Sequence, residues 1–149
     1  MSEIYVKLFG TPVVTEDEKE VSFPYGKVKA LFYYIAVNKK ATRDELATLL
    51  WTEENDSIAK KNLRNAIYQI KKSFKREVIL SPDNSVVILN DKLDIYIDID
   101  LFLKDEEKCI YIYKGDFLKV EIIHYMFLLL YLSFLFLYNI SWVFYMVLH

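Results

Sequence analysis

The chain has 149 residues, of which 54% are hydrophobic and 27% are charged, and its formal net charge is −2. This length corresponds to one domain, or to a small domain with part of another, and a net charge so close to zero indicates no particular partner. The single cysteine, Cys109, excludes a disulfide framework within the chain, which is typical of proteins in a reducing cytosol. The first ten residues, MSEIYVKLFG, contain no basic segment followed by an apolar run, so we expect no secretory signal and a cytoplasmic location.

Charge is unevenly distributed along the chain. After Leu118 the only charged residues are Lys119 and Glu121, whereas residues 56–76 contain seven Lys or Arg residues and one Asp. A local basic stripe on a nearly neutral protein is typical of nucleic-acid contact, and the alternative interpretation is a solvated helix face.

Three short runs near the N-terminus, 4–9, 12–14 and 19–23, have the composition of β-strands. The acidic segment TEDEKE favours a hairpin turn, and Gly10 and Pro12 interrupt the first connection. We therefore predict a small antiparallel sheet of three or four short strands.

The segment GKVKALFYYIAVNKK, residues 26–40, changes to a helical period and predicts a helix with one buried face. In the next segment, TRDELATLLW, Thr42 and Glu45 have the spacing of a capping box, in which both side chains bind backbone N–H groups at a helix start. The apolar positions that define the two faces are Val28, Leu31, Phe32, Ile35 and Ala36 in the first helix, and Leu46, Leu49 and Leu50 in the second.

The longest predicted helix covers residues 57–75, and either Asp56 or Ser57 is suited to cap it. One apolar stripe consists of Ala59, Leu63, Ala66, Ile67, Ile70 and Phe74. The opposite face carries Lys61, Asn65, Tyr68 and Lys72, with Arg64, Gln69 and Lys75 on its flanks. Such a helix packs on one side and presents hydrogen-bonding and cationic side chains on the other.

Two β-branched runs flank the turn-forming residues 81–85 and predict a hairpin over residues 78–89. The order sheet, helix, helix, long helix, hairpin predicts an α+β fold of the winged helix-turn-helix type over residues 1–92. In it, residues 43–50 support helix 57–75, which enters the DNA major groove, and the hairpin is a wing on the adjacent backbone or groove.

Side-chain chemistry divides the candidate DNA contacts into three groups. For base edges the candidates are Arg64 and Asn65, which suit guanine and adenine, followed by Tyr68 and Gln69. The candidates for phosphate contact are Lys27, Lys29, Lys60, Lys61, Lys71, Lys72 and Lys75. At the wing tip the candidates are Ser81 and Asn84. For each residue alone, the alternative is an ordinary solvated surface position.

Several segments together resemble the SARP-type (bacterial transcriptional activator domain) regulators over residues 3 to about 118. The similar segments, in order, are EIYVKLFGTPVV, VSFPYGKVKALFYYIAVNKK, TRDELATLLW, AKKNLRNAIYQIKKSFK, IYIDIDLFL and YKGDFL. The resemblance implies an OmpR/PhoB-type winged helix followed, over residues 93–118, by the start of a helical activator domain. It also implies binding to promoter DNA, self-association on repeated sites and contact with RNA polymerase.

The resemblance ends at Leu118, and residues 119–149 form an apolar tail. Residues 126–148 have no charge and are long enough to span a bilayer as a helix. Three interpretations stay open: a membrane anchor at the inner membrane, an apolar core helix of a divergent activator domain, and the product of a truncation or reading-frame shift after Leu118.

The remaining polar residues do not predict an enzyme. Asp94, Asp98 and Asp100 alternate with apolar residues, which favours the polar face of a strand over an acid–base or Mg²⁺ site. Neither His124 nor His149 has a second ligand nearby, and Cys109 has no CxxC partner, so we expect no metal and no cofactor.

Three functions are therefore in competition. The first is a sequence-specific DNA-binding transcriptional regulator. The second is a membrane-tethered protein-interaction module anchored by residues 126–148, and the third is a winged-helix interaction module without DNA affinity.

Overall fold

The computed structural model of the chain describes residues 3–104, which form an α+β fold of four helices and two small β-sheets. Numbered in chain order, the elements are β1 (Ile4–Lys7), β2 (Val13–Glu16), β3 (Lys19–Glu20), α1 (Gly26–Asn38), β4 (Lys40–Thr42), α2 (Arg43–Leu50), α3 (Asp56–Ser73), β5 (Ile79–Leu80), β6 (Val86–Leu89), β7 (Ile95–Ile97) and α4 (Asp98–Lys104). The predicted fold class, α+β, is confirmed at this level.

The first sheet has the strand order β3-β2-β1-β7. Its first three strands are antiparallel as predicted, and Asp17 and Glu18 make the β2–β3 turn with positive φ angles of 52° and 64°. The fourth strand differs from the predicted antiparallel arrangement, because β7 pairs in parallel with β1 and places Ile95 beside Ile4. Residues 95–97, which the family resemblance assigns to the start of a second domain, thus form the fourth strand of the first sheet.

The acidic residues after β7 do not lie on a strand. Asp98 and Asp100 belong to the first turn of α4, so their predicted position on the polar face of a strand is wrong. Carboxylates in the first turn of a helix interact favourably with its dipole, which favours a helix start at these two residues. One oxygen of Asp98 accepts the backbone N–H groups of Leu8 and Phe9 at 2.7 and 2.9 Å and so ties α4 to the end of β1.

Helix α1 lies at the centre of the hydrophobic core. The predicted single buried face is too narrow, because α1 contacts α2, α3, β4 and β6 and is covered on several sides. Its buried residues are Val28, Ala30, Leu31, Phe32, Tyr33, Tyr34, Ile35 and Ala36.

The two helices after α1 agree closely with their predictions. The side chain of Thr42 accepts the N–H of Glu45, and the Glu45 carboxylate accepts the N–H of Thr42, which confirms the capping box. The apolar stripe of α3 is buried as predicted, including Phe74 just after the helix. The predicted cap is wrong: Asn55, and neither Asp56 nor Ser57, accepts the N–H of Ile58 at 2.9 Å.

The second sheet has the order β4-β6-β5 and contains the predicted hairpin. At the hairpin turn, Asp83 accepts the backbone N–H groups of Ser85 and Val86 at 2.6 and 3.0 Å. Strand β4, which the sequence does not predict, pairs with β6 and joins α1 to the hairpin sheet.

The predicted apolar C-terminal helix, the apolar run 126–148 and the end of the resemblance at Leu118 lie outside the described residues. Within residues 3–104, no helix has the length and apolar character needed to cross a membrane.

Candidate functional site

The outer face of α3 brings together five of the thirteen predicted site residues. The core side of this helix is apolar, and its only acidic residue, Asp56, lies in the first turn. The side chains that point away from the core are exposed, and Tyr68 retains 61% of its accessible surface. We call this set the outer face of α3: Lys61, Arg64, Asn65, Tyr68 and Lys72.

The four base-edge candidates are in different environments. The side chain of Arg64 is exposed and has no hydrogen-bond or ion-pair partner among residues 3–104. Asn65 donates from Nδ2 to the hydroxyl of Tyr25 at 3.2 Å. Gln69 is half-buried at the margin of the face, and its backbone carbonyl accepts the hydroxyl of Ser73 at 3.0 Å. Arg64, Asn65 and Tyr68 are therefore the better-presented side chains.

Three of the predicted phosphate-binding lysines already have carboxylate partners. Lys60 lies 3.0 Å from Asp56 and 3.1 Å from Asp44, and hydrogen bonds to these two carboxylates raise its pKa above the ordinary value. Lys71 pairs with Glu77. The ammonium of Lys75 lies 3.4 Å from a carboxylate oxygen of Asp17.

By contrast, Lys61 and Lys72 are exposed and have no carboxylate within ion-pair distance in the described part of the chain. They lie on the outer face of α3, whereas Lys60 and Lys71 lie on the flanks next to α2 and to the segment after α3. The predicted lysine set is therefore divided by geometry into unpaired central residues and paired flanking residues.

The two lysines of α1 have different surroundings. Lys27 places its ammonium 5.5 Å from the ring centroid of Trp51, which follows α2, so it lies near the turn between α2 and α3. Lys29 lies 5.8 Å from the ring centroid of Tyr33 and lines a cavity of about 140 Å³ next to Glu20. Only Lys27 lies close to the α2–α3 turn.

The two hairpin candidates also differ. The hydroxyl of Ser81 accepts a hydrogen bond from the Arg43 guanidinium at 3.1 Å, whereas Asn84 is exposed at the tip. Asp83 lies beside them, and its hydrogen bond from the Ser85 hydroxyl lowers the pKa of the carboxyl group. This negative charge at the hairpin tip is unfavourable for phosphate contact.

Two residues near this surface were not predicted from the sequence. Tyr25 contacts Asn65 across 40 positions of the chain, and Arg43 contacts Ser81 across 38. No local pattern identifies such pairs. The Asp56–Lys60 ion pair could have been found, because its four-residue spacing on a helix is a known signal.

Within residues 3–104, no group of three His, Cys, Asp or Glu side chains could hold a metal ion. In comparisons with known proteins, neither a family model nor a curated protein sequence gives a significant match to this chain.

Proposed function

We propose that residues 3–104 form a winged helix-turn-helix unit that binds DNA in a sequence-specific transcriptional regulator. In this proposal α2 supports α3, α3 enters the major groove, and the β5–β6 hairpin is the wing. The observation that carries it is the outer face of α3, where two unpaired lysines, Arg64, Asn65 and Tyr68 are exposed together without an acidic side chain among them.

Each side chain of this face has a role that fits its chemistry. The guanidinium of Arg64 matches the two acceptors of guanine, and the amide of Asn65 matches the acceptor and donor of adenine. Lys61 and Lys72 bind phosphates, which positions the helix without selecting a sequence. Tyr68 supplies a hydroxyl and an apolar ring between these two lysines.

The paired lysines limit how much of the surface attracts DNA. Asp44, Asp56, Glu77 and Asp17 neutralise the flanks of α3, so the positive stripe is narrow. Because non-specific binding depends on the number of phosphates neutralised, we expect weak non-specific affinity and a salt dependence that corresponds to few phosphate contacts.

The direct test is fluorescence anisotropy of the full chain with a randomised duplex library, followed by selection of the bound fraction. The expected result is retention of a subset of sequences, and loss of that selectivity in Arg64→Ala. Lys7→Ala is the matched control, since Lys7 is an exposed cation on β1 outside the candidate surface. Failure of the wild-type chain to bind any duplex at low salt would exclude the proposal.

The wider setting follows from the same proposal. We place the regulator in the cytoplasm, with promoter DNA, RNA polymerase and further copies of itself on repeated sites as its partners. The observation that supports the alternative, a membrane-tethered interaction module, is the uncharged run at residues 126–148. Membrane fractionation of the full chain at alkaline pH distinguishes a tethered protein from an untethered one.

A further inference from the structure

We propose that Tyr25 is a positioning residue that orients the amide of Asn65 for contact with adenine. This inference rests on the proposed DNA-binding function and adds a specificity-determining contact to it. The observation that carries it is the hydrogen bond from Asn65 Nδ2 to the Tyr25 hydroxyl at 3.2 Å, between the start of α1 and the outer face of α3.

Tyr25 is well held at its backbone. It occupies the N-cap position of α1 in an extended conformation, and its carbonyl accepts the N–H groups of Val28 and Lys29 at 3.1 and 3.4 Å. Helix α1 is in turn buried in the core. Tyr25 is 41% exposed, so its ring extends from this hydrogen-bonded backbone to the surface, where its hydroxyl meets Asn65.

The hydrogen bond leaves the Asn65 amide with the groups that adenine requires. An asparagine side chain has two N–H donors and one carbonyl acceptor. With one N–H directed at Tyr25, the second N–H is available for adenine N7, and the carbonyl oxygen is available for the N6 amino group. Tyr25 and adenine therefore use different atoms of the same amide.

The energetic contribution of Tyr25 is preorganisation. An exposed asparagine without a partner samples several rotamers, and ordering it on binding costs free energy. A partner that holds the amide before binding lowers that cost, and it does so only for the base that fits the held orientation. Arg64, on the same face, has no such partner among residues 3–104 and serves as an internal comparison.

The test uses the full chain and the duplex selected from a randomised library. In the protein, Tyr25→Phe removes the hydroxyl and keeps the ring. In the DNA, each base pair of the site is changed in turn. Where an A·T pair is preferred, 7-deazaadenine also replaces adenine. We expect Tyr25→Phe to reduce discrimination at one A·T pair about five-fold. Asn65→Ala should abolish discrimination at the same pair, and Tyr25→Phe should have no added effect in the Asn65→Ala background.

Two controls separate this role from others. Discrimination at the pair that depends on Arg64 should be unchanged in Tyr25→Phe, and the thermal unfolding midpoint should match that of the wild type. An equal loss of affinity for every sequence, with a smaller salt slope, would overturn the inference and identify Tyr25 as a phosphate contact. Unchanged discrimination in Tyr25→Phe would also overturn it.

The inference and the proposed function fail in distinguishable ways. If the wild-type chain selects no sequence, both are wrong. If it selects a site whose recognition depends on Arg64 but not on Tyr25, DNA binding stands and only the positioning role is excluded.

Discussion

The carboxylate of Glu16, at the end of β2, lies 3.1 Å from Nε of Arg76, just beyond α3, and is only 4% exposed. Its second oxygen accepts the backbone N–H of Lys75 at 2.8 Å. The next residue, Asp17, lies 3.4 Å from the same guanidinium. The β2–β3 hairpin is thus joined to the chain at the end of α3 by a mostly buried ion pair.

Removal of Glu16 should destabilise the fold. In Glu16→Ala, Arg76 loses its buried partner and the N–H of Lys75 loses its acceptor, although Asp17 and partial exposure reduce the cost. We expect the free energy of unfolding to fall by about 2 kcal/mol in urea denaturation. Glu53→Ala, at an exposed turn position, is the control and should change it by less than about 0.5 kcal/mol. Equal midpoints for the two variants would contradict the structural role of Glu16.

The capping box predicts a local effect at α2. Thr42→Ala removes the acceptor for the N–H of Glu45 and should lower the free energy of unfolding by about 1 kcal/mol. Thr48→Ala changes the same residue type at an exposed position within α2, where alanine favours the helix. Chemical denaturation should therefore separate the two variants, and a Thr48→Ala loss as large as that of Thr42→Ala would contradict the cap.

Two adjacent tyrosines of α1 should respond in opposite directions to loss of their hydroxyls. Tyr33 is fully buried and its hydroxyl has no hydrogen-bond partner among the described residues, whereas the Tyr34 hydroxyl donates to Glu45. We expect Tyr33→Phe to raise the free energy of unfolding by about 1 kcal/mol and Tyr34→Phe to lower it by about as much. If both substitutions changed the free energy of unfolding in the same direction under one set of denaturation conditions, the difference between the two hydroxyl environments would be contradicted.

The same tyrosines predict a loss of stability in alkali. Burial raises the pKa of both Tyr33 and Tyr34 above the ordinary value of 10.0, so near that pH the unfolded chain loses protons that the folded chain retains. Their contribution is fully present below pH 10 and is lost as the pH rises above it. Urea denaturation at successive pH values should show that the free energy of unfolding falls less steeply with pH above 10 in Tyr33→Phe than in the wild type. The same pH dependence in both proteins would exclude Tyr33 as a contributor.

Pairs of adjacent lysines provide a matched test of the proposed DNA-binding surface. Lys61→Ala removes an unpaired cation and should reduce the slope of log affinity against log salt by about one. Lys60→Ala removes a cation that Asp44 and Asp56 already neutralise and should change the slope less. Lys72→Ala and Lys71→Ala should differ in the same way, because Lys71 pairs with Glu77. Equal slopes within each pair, in anisotropy titrations, would mean that the ion pairs do not persist on DNA.

Local patterns predicted the elements that depend on neighbouring residues. The stripe of α3, the Thr42–Glu45 cap and the β5–β6 hairpin each follow from side chains within a few positions of one another, and the structure contains all three. The Asn55 cap was missed by one position, because Asn, Asp and Ser at consecutive positions have similar capping preference.

Features that depend on distant residues could not be predicted in this way. The burial of α1 on several sides results from neighbours on several elements, and the neutralisation of Lys60 and Lys71 requires Asp44 and Glu77 from other segments. The parallel pairing of β7 with β1 joins the two extremes of the described chain, and no local period contains that information.

That pairing has a consequence for folding during synthesis. Asp98 and its partner Leu8 stand 90 positions apart, so the first sheet is completed only after most of the described chain has been made. Contacts of such long sequence separation slow folding, because a large loop must close before they form. The α2–α3 pair and the β5–β6 hairpin can form earlier. The edge of β1 that pairs with β7 remains exposed until β7 has been synthesised. Nascent chains that end before residue 95 should therefore be the ones most dependent on chaperones.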